Sequence, residues 1–486
     1  MRLSEQLNDI FKQHGEKPAL WVDNEQISYQ KLMQNAYNIC ANINAQTQTI
    51  GILSYRDKYY FSATLACTLS ENTFVPIGSK LPLARIVSVI EQSNLQQVFF
   101  SKKYHDTAAA LQELFPDIIF SCLDDIIATA CSVNLQTSNV ISNNTAYILF
   151  TSGSTGIPKG VPISNSNLCY YLTYMKTYLS LTSDDKVSQV FDPTFDLSIH
   201  DIFVTWLSGA CLYVLPDSAL FAPGKFIKDH LLSVWFSVPS TAAIMAKFGM
   251  LKPSAYPSLK KSLFCGEAFP IELAKQWQLS APSSQVISLY GPTEATIACA
   301  HCTFDIAKKY HRPFVPIGEA FPHMSLSLED DGELVIKGPQ IFSGYLNNKE
   351  KTNEVLQLHN NELYYFSGDL ALVDKNGHFH YVSRKDDQVK IQGFRIELSE
   401  INTLASDFLS NPLVQTIATP NTQPQNLTLF ICDSADKEKE AELIIYLQQK
   451  LPAYMVPKKI IWINAMPLNS NGKIDKKALH TLMEKP

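Results

Sequence analysis

Apolar runs of strand length alternate along this chain with stretches whose apolar residues recur at helical spacing. At the start, Leu3, Leu7, Ile10 and Phe11 fall three or four apart and predict an amphipathic helix. The runs YILF at 147–150 and CLYVLP at 211–216 read as strands. Interleaved with helical patterns, they argue for βαβ units and parallel sheet through most of the first 380 residues. No internal repeat or long low-complexity linker interrupts this pattern.

Around SRKDDQVKIQGFRIE, at 383–397, charge density rises and a new strand pattern begins, which places a domain boundary near Asp386. Beyond it, the apolar runs TLFICD and KIIWIN flank the amphipathic stretch AELIIYLQQKLP, as in a small α+β domain. The segment PLNSNGKIDKKAL then mixes a glycine with polar residues and reads as an exposed loop that can reach another domain. The expected fold class is α/β, with a large domain over residues 1–385 containing parallel sheets and a small α+β domain over 386–486.

Composition narrows the function. Of 486 residues, 46% are hydrophobic and 18% charged, which is ordinary for a globular chain. Forty basic residues against forty-six acidic ones leave a net charge of −6, too mild to point to nucleic acid or an anionic membrane, so a small-molecule substrate is expected. The N-terminus lacks a signal-peptide core and no long apolar run follows, so the expectation is a cytoplasmic protein without membrane insertion. Ten cysteines without an export signal read as reduced thiols. Cys299, His301 and Cys302 form the one local cluster, but a second pair to complete four zinc ligands is missing, and core packing is the expected role.

The strongest chemical signal lies after YILF. In TSGSTGIPKGVP, at 151–162, Thr151, Ser152, Gly153, Ser154, Thr155, Gly156 and Lys159 combine hydroxyls, glycines and one cation. Glycines let backbone amides approach phosphate oxygens, and the hydroxyls and lysine add donors and charge. The spacing is not that of the Walker loop, and by composition alone a polar surface turn stays open.

The order of residues in this loop resembles the signature of the adenylate-forming superfamily, which includes acyl-CoA synthetases, luciferases and peptide-synthetase adenylation domains. Further motifs follow in the family's order. SLYGPTEAT, at 288–296, resembles its second nucleotide motif. The resemblance implies that Tyr290 stacks on adenine, with Gly291 beside it in the nucleotide site, Thr293 meets the α-phosphate, and Glu294 helps hold Mg2+. GELVIKGPQIFSGYL, at 332–346, and the segment 364–401 resemble the next blocks, with Asp369 and Arg384 matching the pair that holds the ribose hydroxyls. The family's usual Arg-Thr-Gly-Asp reads Phe366, Ser367, Gly368, Asp369 here, and its Gly-Arg reads Ser383, Arg384. LPAYMVP and NGKID close the series, and Lys473 matches the lysine that bridges substrate carboxylate and phosphate. The resemblance further implies that the small domain is a mobile lid turning about Asp386, and that ATP and Mg2+ are required.

FDLSIHDIF, at 195–203, resembles the peptide-synthetase motif that offers a carboxylate to an amino acid's ammonium, and Asp196 matches it. An N-cap on the following helix is the plain alternative for Asp196. Aligned by motif, the pocket is lined by Leu197, His200, Ser237, Cys265, Leu289, Ile297 and Ala298. Leu197 and FCGE at 264–267 resemble the D-alanine:carrier-protein ligases, from which His200 and Leu289 depart. The resemblance thus implies an AMP-forming ligase for a small uncharged amino acid. No carrier-protein serine motif is present, so the acceptor is expected to be a separate phosphopantetheinylated carrier protein, with coenzyme A as the alternative. The rivals are an acyl or aryl CoA ligase, which Asp196 opposes, and an inactive binding relative, which intact Lys159, Glu294, Asp369, Arg384 and Lys473 oppose.

Overall fold

The computed structural model describes residues 2–43, 48–129, 145–153, 157–220, 222–360, 362–420, 424–468 and 474–484. They gather into two compact units. The first comprises Met1–Ser79, Ile90–Leu149 and Gly160–Ser383, and the second comprises Lys80–Val89, Phe150–Lys159 and Arg384–Pro486.

The first unit is built on parallel sheet. Its nine-stranded sheet runs Glu319–Ala320, Ala300–Thr303, Gln285–Tyr290, Lys261–Phe264, Val234–Ser237, Lys186–Gln189, Cys211–Val214, Pro18–Val22 and Glu25–Ser28. The stretch from Gln285–Tyr290 to Pro18–Val22 is parallel throughout, and the outer strands are antiparallel. Cys211–Val214 and Val234–Ser237 are buried at every position, as strands covered on both faces must be. A six-stranded sheet, in the order Ile119–Cys122, Gln97–Phe100, Thr49–Leu53, Thr73–Pro76, Thr145–Thr151 and Lys159–Ser164, is parallel across its first five strands. An antiparallel sheet centred on Glu333–Lys337 and Glu362–Val373 completes the unit.

Helix Leu3–Gln13 buries Leu3, Leu7 and Phe11, and Phe11 meets Tyr29 and Trp206 edge-on at 4.6 and 5.7 Å. Helix Asp196–Leu207 is buried at every residue from Leu197 onward. Ser198, His200, Asp201 and Thr205 are buried with its apolar residues, so the helix is surrounded by core, and each fully buried Leu, Ile or Phe side chain contributes about 1.5–3 kcal/mol.

The second unit is α+β. The hairpin Gln388–Ile391 and Phe394–Glu397 leads into helix Leu398–Leu409. Strands Val414–Thr419, Asn426–Cys432 and Lys459–Ile463 then form a sheet, with helix Lys437–Lys450 inserted before the last strand. Ile396, Ile401, Leu429, Ile431, Leu443 and Leu447 form its core. Among the described residues, no helix is long and apolar enough to cross a membrane.

Candidate active site

Strand Gln285–Tyr290 carries Leu289 and Tyr290 to the carboxyl end of the parallel array, where open α/β sheets bind ligands. The chain must then turn tightly. A Cβ on Gly291 would lie 2.5 Å from the Ala298 Cα, so only glycine fits there. Thr293–Ala295 makes one 3₁₀ turn, and Thr296 and Ile297 follow with φ of 58° and 71°. Two consecutive β-branched residues in the left-handed region cost about 1–3 kcal/mol each, so surrounding contacts must hold this turn.

Those contacts come from the segment 338–346. Gln340 Nε2 donates to the carbonyls of Ala298 at 2.8 Å and Ala295 at 3.2 Å, and Thr296 Oγ1 donates to the Gln340 carbonyl at 2.5 Å. The Phe342 amide donates to the Glu294 carbonyl at 2.9 Å. Glu294 is fully buried, and its Oε1 accepts the Tyr345 hydroxyl at 2.7 Å.

On the long strand Glu362–Val373, Asp369 is buried and its Oδ2 accepts the Tyr290 hydroxyl at 2.5 Å. Burial, reinforced by the Asp369 carboxylate, pushes the Tyr290 phenol well above its ordinary pKa. Ser367 Oγ accepts the Asp369 amide at 3.1 Å and donates to the Leu334 carbonyl at 2.6 Å, fixing the turn before the carboxylate.

The residues expected to line a side-chain pocket are all buried in this unit: Leu197, His200, Ser237, Cys265, Leu289, Ile297 and Ala298. His200 Nδ1 shares a hydrogen bond of 2.6 Å with the Tyr171 hydroxyl, and its ring meets Phe236 edge-on at 4.8 Å. Burial pushes the His200 pKa down to about 3, so the imidazole is neutral at physiological pH. Asp196 is the first residue of its helix. The cap position belongs to Phe195, in extended backbone, which corrects the N-cap alternative: Asp196 stands one residue further on, as the acidic residue of the first turn. The Tyr147 hydroxyl is buried without a hydrogen-bond partner among the described residues, and burial and then the nearby Asp196 carboxylate raise its pKa.

Thr151, Ser152, Gly153 and Lys159 belong to the second unit, as do Arg384 and Asp386. A Cβ on Gly153 would meet the Ile157 carbonyl oxygen at 2.0 Å, so the loop closes on itself only with glycine. Ser152 Oγ donates to the Arg395 carbonyl at 2.8 Å, and the Thr151 hydroxyl is buried without a partner among the described residues. Lys159 Nζ stands 3.4 Å from Glu397 Oε1, which also accepts Gln388 Nε2 at 2.7 Å. Arg384 grips Asp386 through Nε at 2.8 Å and Nη2 at 2.5 Å. Burial opposes ionisation of Asp386, but the Arg384 guanidinium outweighs it and holds the carboxyl below its usual range. Ser154, Thr155, Gly156 and Lys473 lie outside the described residues.

Sequence reasoning left Gln340, Tyr345 and Tyr171 without roles. The block GPQIFSGYL was recognised, yet nothing in a linear pattern says that its glutamine and tyrosine reach back to residues 294–298. Among the described residues, no group of three His, Cys, Asp or Glu is placed to hold a metal ion. His301 instead packs on the Tyr178 ring at 4.4 Å and bonds the Tyr174 hydroxyl through Nε2 at 2.5 Å.

Known proteins resemble this chain in sequence and in fold. The sequence profile described as "AMP-binding enzyme" matches residues 7–346. A D-alanine--D-alanyl carrier protein ligase of Staphylococcus haemolyticus (strain JCSC1435) is 30% identical over 482 residues, covering 97% of this chain and 97% of that protein. The ligase of the same name from Staphylococcus aureus (strain MRSA252) is 30% identical over 470 residues, with 94% of each covered. The crystal structure of the Vibrio cholerae adenylation domain AlmE in complex with glycyl-adenosine-5'-phosphate superposes with a TM-score of 0.88 at 28% identity, covering 100% of this chain and 98% of that one.

Proposed function

Since the chain belongs to the AMP-binding enzyme family, we propose that it activates a small amino acid with ATP as the aminoacyl adenylate and passes the acyl group to the phosphopantetheine thiol of a separate carrier protein. The names of the staphylococcal relatives and the glycyl adenylate of the Vibrio domain both support a small amino acid, and D-alanine is the first candidate.

One observation supports the reading: the residues expected to line the side-chain pocket are buried and uncharged, with His200 held neutral, while a carboxylate, Asp196, stands at the start of the helix that carries Leu197 and His200. A substrate ammonium beside Asp196 gains a charge-assisted hydrogen bond of about 1.5–3 kcal/mol. The uncharged lining then favours a small apolar side chain, since a buried charge without a partner is costly.

In the first step a carboxylate oxygen of the amino acid attacks the α-phosphorus of ATP, forming the acyl-phosphate bond as the bond to pyrophosphate breaks. In the second, a thiolate attacks the acyl carbon and AMP leaves. Tyr290 and Asp369 would hold adenosine, Thr293 the α-phosphate, and Lys473 the developing charge. Lys159 and the hydroxyls of residues 151–155 would hold the outer phosphates, and Arg384 would join Asp369 at the ribose.

A buried single carboxylate, Glu294, suits Mg2+ delivered with the triphosphate, because that ion keeps waters and phosphate oxygens as ligands and takes only one or two carboxylates. Bound there, the ion would neutralise phosphate charge. Residues 386–486 would act as the lid, turning about Asp386 between the two steps. ATP–pyrophosphate exchange across alanine isomers, glycine, serine and propionate tests the proposal. Exchange is expected to be much faster with a small amino acid than with propionate; transfer to coenzyme A in preference to a carrier protein would move the acceptor assignment.

A further inference from the structure

We infer that Gln340 and Tyr345 are positioning residues for magnesium nucleotide, acting through the turn that carries Thr293 and Glu294; the inference rests on the reading of Glu294 given above. The turn is unstable by itself, because Thr296 and Ile297 both take positive φ and both are β-branched. Gln340, 2% exposed, spends its side-chain amide on the carbonyls of Ala295 and Ala298, on either side of those two residues. Its own carbonyl receives the Thr296 hydroxyl at 2.5 Å, so one residue fixes the left-handed pair at three points.

Tyr345 acts on the carboxylate itself. Its hydroxyl donates to Glu294 Oε1 at 2.7 Å, while its ring packs edge-on against Phe342 at 5.0 Å. The Tyr345 amide is in turn held by Thr352 Oγ1 at 2.9 Å. Asn167 Nδ2 anchors the loop from the other side, on the Pro339 carbonyl at 2.7 Å and the Ile341 carbonyl at 3.0 Å. A phenol that fixes one oxygen of a buried carboxylate sets the direction in which the group can offer a lone pair to a cation. Neither side chain needs to touch nucleotide; each sets where Glu294 and Thr293 stand.

The test compares Tyr345→Phe, Gln340→Met and Glu294→Gln with the wild-type full chain. Two quantities are read against free Mg2+: the rise in melting temperature that ATP produces, and the rate of pyrophosphate exchange. The inference expects Tyr345→Phe and Gln340→Met to raise the half-maximal Mg2+ concentration in both by about tenfold or more, the effect of one hydrogen bond to a charged group. A role confined to packing would lower the ligand-free melting temperature and leave the Mg2+ midpoints unmoved, which overturns the inference. If Glu294→Gln itself leaves the midpoints unmoved, the reading of Glu294 fails. If Glu294→Gln shifts them and neither other variant does, only the positioning roles fail. Tyr345→Phe keeps the packed ring, so a folding defect in Gln340→Met leaves the comparison decisive.

Discussion

The Tyr290 hydroxyl donates to Asp369 Oδ2 across 2.5 Å, joining the end of a parallel strand to the middle of an antiparallel one. Two residues expected to serve adenine and ribose separately are thereby one unit. The bond fixes the hydroxyl end of the phenol, and it removes one acceptor site of a buried carboxylate from competition.

Tyr290→Phe should therefore keep nucleotide affinity within a few-fold, because the ring face survives. It should lower stability by about 1.5–3 kcal/mol, the usual worth of a hydrogen bond to a charged group. Tyr290→Ala should weaken ATP binding far more. Calorimetric titration with ATP beside thermal melts distinguishes the two variants, and equal ATP affinity in both would contradict the stacking role.

His200 gives a pH test. Its pKa falls to about 3 on folding from an ordinary value of about 6.5, so the group is neutral in both states above that ordinary value. As pH falls from there towards 3, the unfolded chain gains a proton that the folded one refuses, and stability is lost. His200→Leu removes this acid sensitivity but strands the Tyr171 hydroxyl, at a cost of about 1–3 kcal/mol at neutral pH. The melting temperature of His200→Leu should thus lie below wild type at pH 7.5, with the gap shrinking as pH drops to 5. A gap independent of pH would contradict a buried neutral imidazole.

The two proposed half-reactions separate Lys473 from Asp386. Lys473→Ala should slow adenylate formation by about 3–4 kcal/mol of barrier while ATP still binds. Asp386→Pro, which fixes φ and removes a backbone donor, should impair thioester transfer more than adenylation. Single-turnover measurement of each step checks both. Near-normal exchange in Lys473→Ala, or an equal fall of both steps in Asp386→Pro, would remove the respective role.

Element types were legible where period and length were strong. The run at 147–150 lies within strand Thr145–Thr151, the run at 211–216 supplies the shorter strand Cys211–Val214, and Leu3, Leu7 and Phe11 are buried on one helix. Strand order was not legible: Lys186–Gln189 sits between Cys211–Val214 and Val234–Ser237 because crossovers, which leave no local pattern, decide it. Motif order supplied the candidate site residues, since each carries its chemistry in its own side chain. Gln340, Tyr345 and Tyr171 carry theirs only through partners 29 to 51 residues away, and that proximity exists only after folding. The capping alternative for Asp196 missed by one residue, because the extended Phe195 takes the cap position.

Asp196 carries the central claim, and truncating it while varying the substrate's ammonium tests that claim most directly. Pyrophosphate exchange is measured for wild type and Asp196→Ala with D-alanine, L-alanine, glycine and propionate, alongside melting temperatures. The account predicts that the wild type uses one of the amino acids and that Asp196→Ala loses it by about tenfold to a hundredfold or more, the loss of a charge-assisted hydrogen bond with the ammonium left buried. Propionate, which brings no cation, should change little. If the wild type prefers propionate or a longer fatty acid, or if the truncation weakens alanine and propionate alike, amino-acid activation is contradicted.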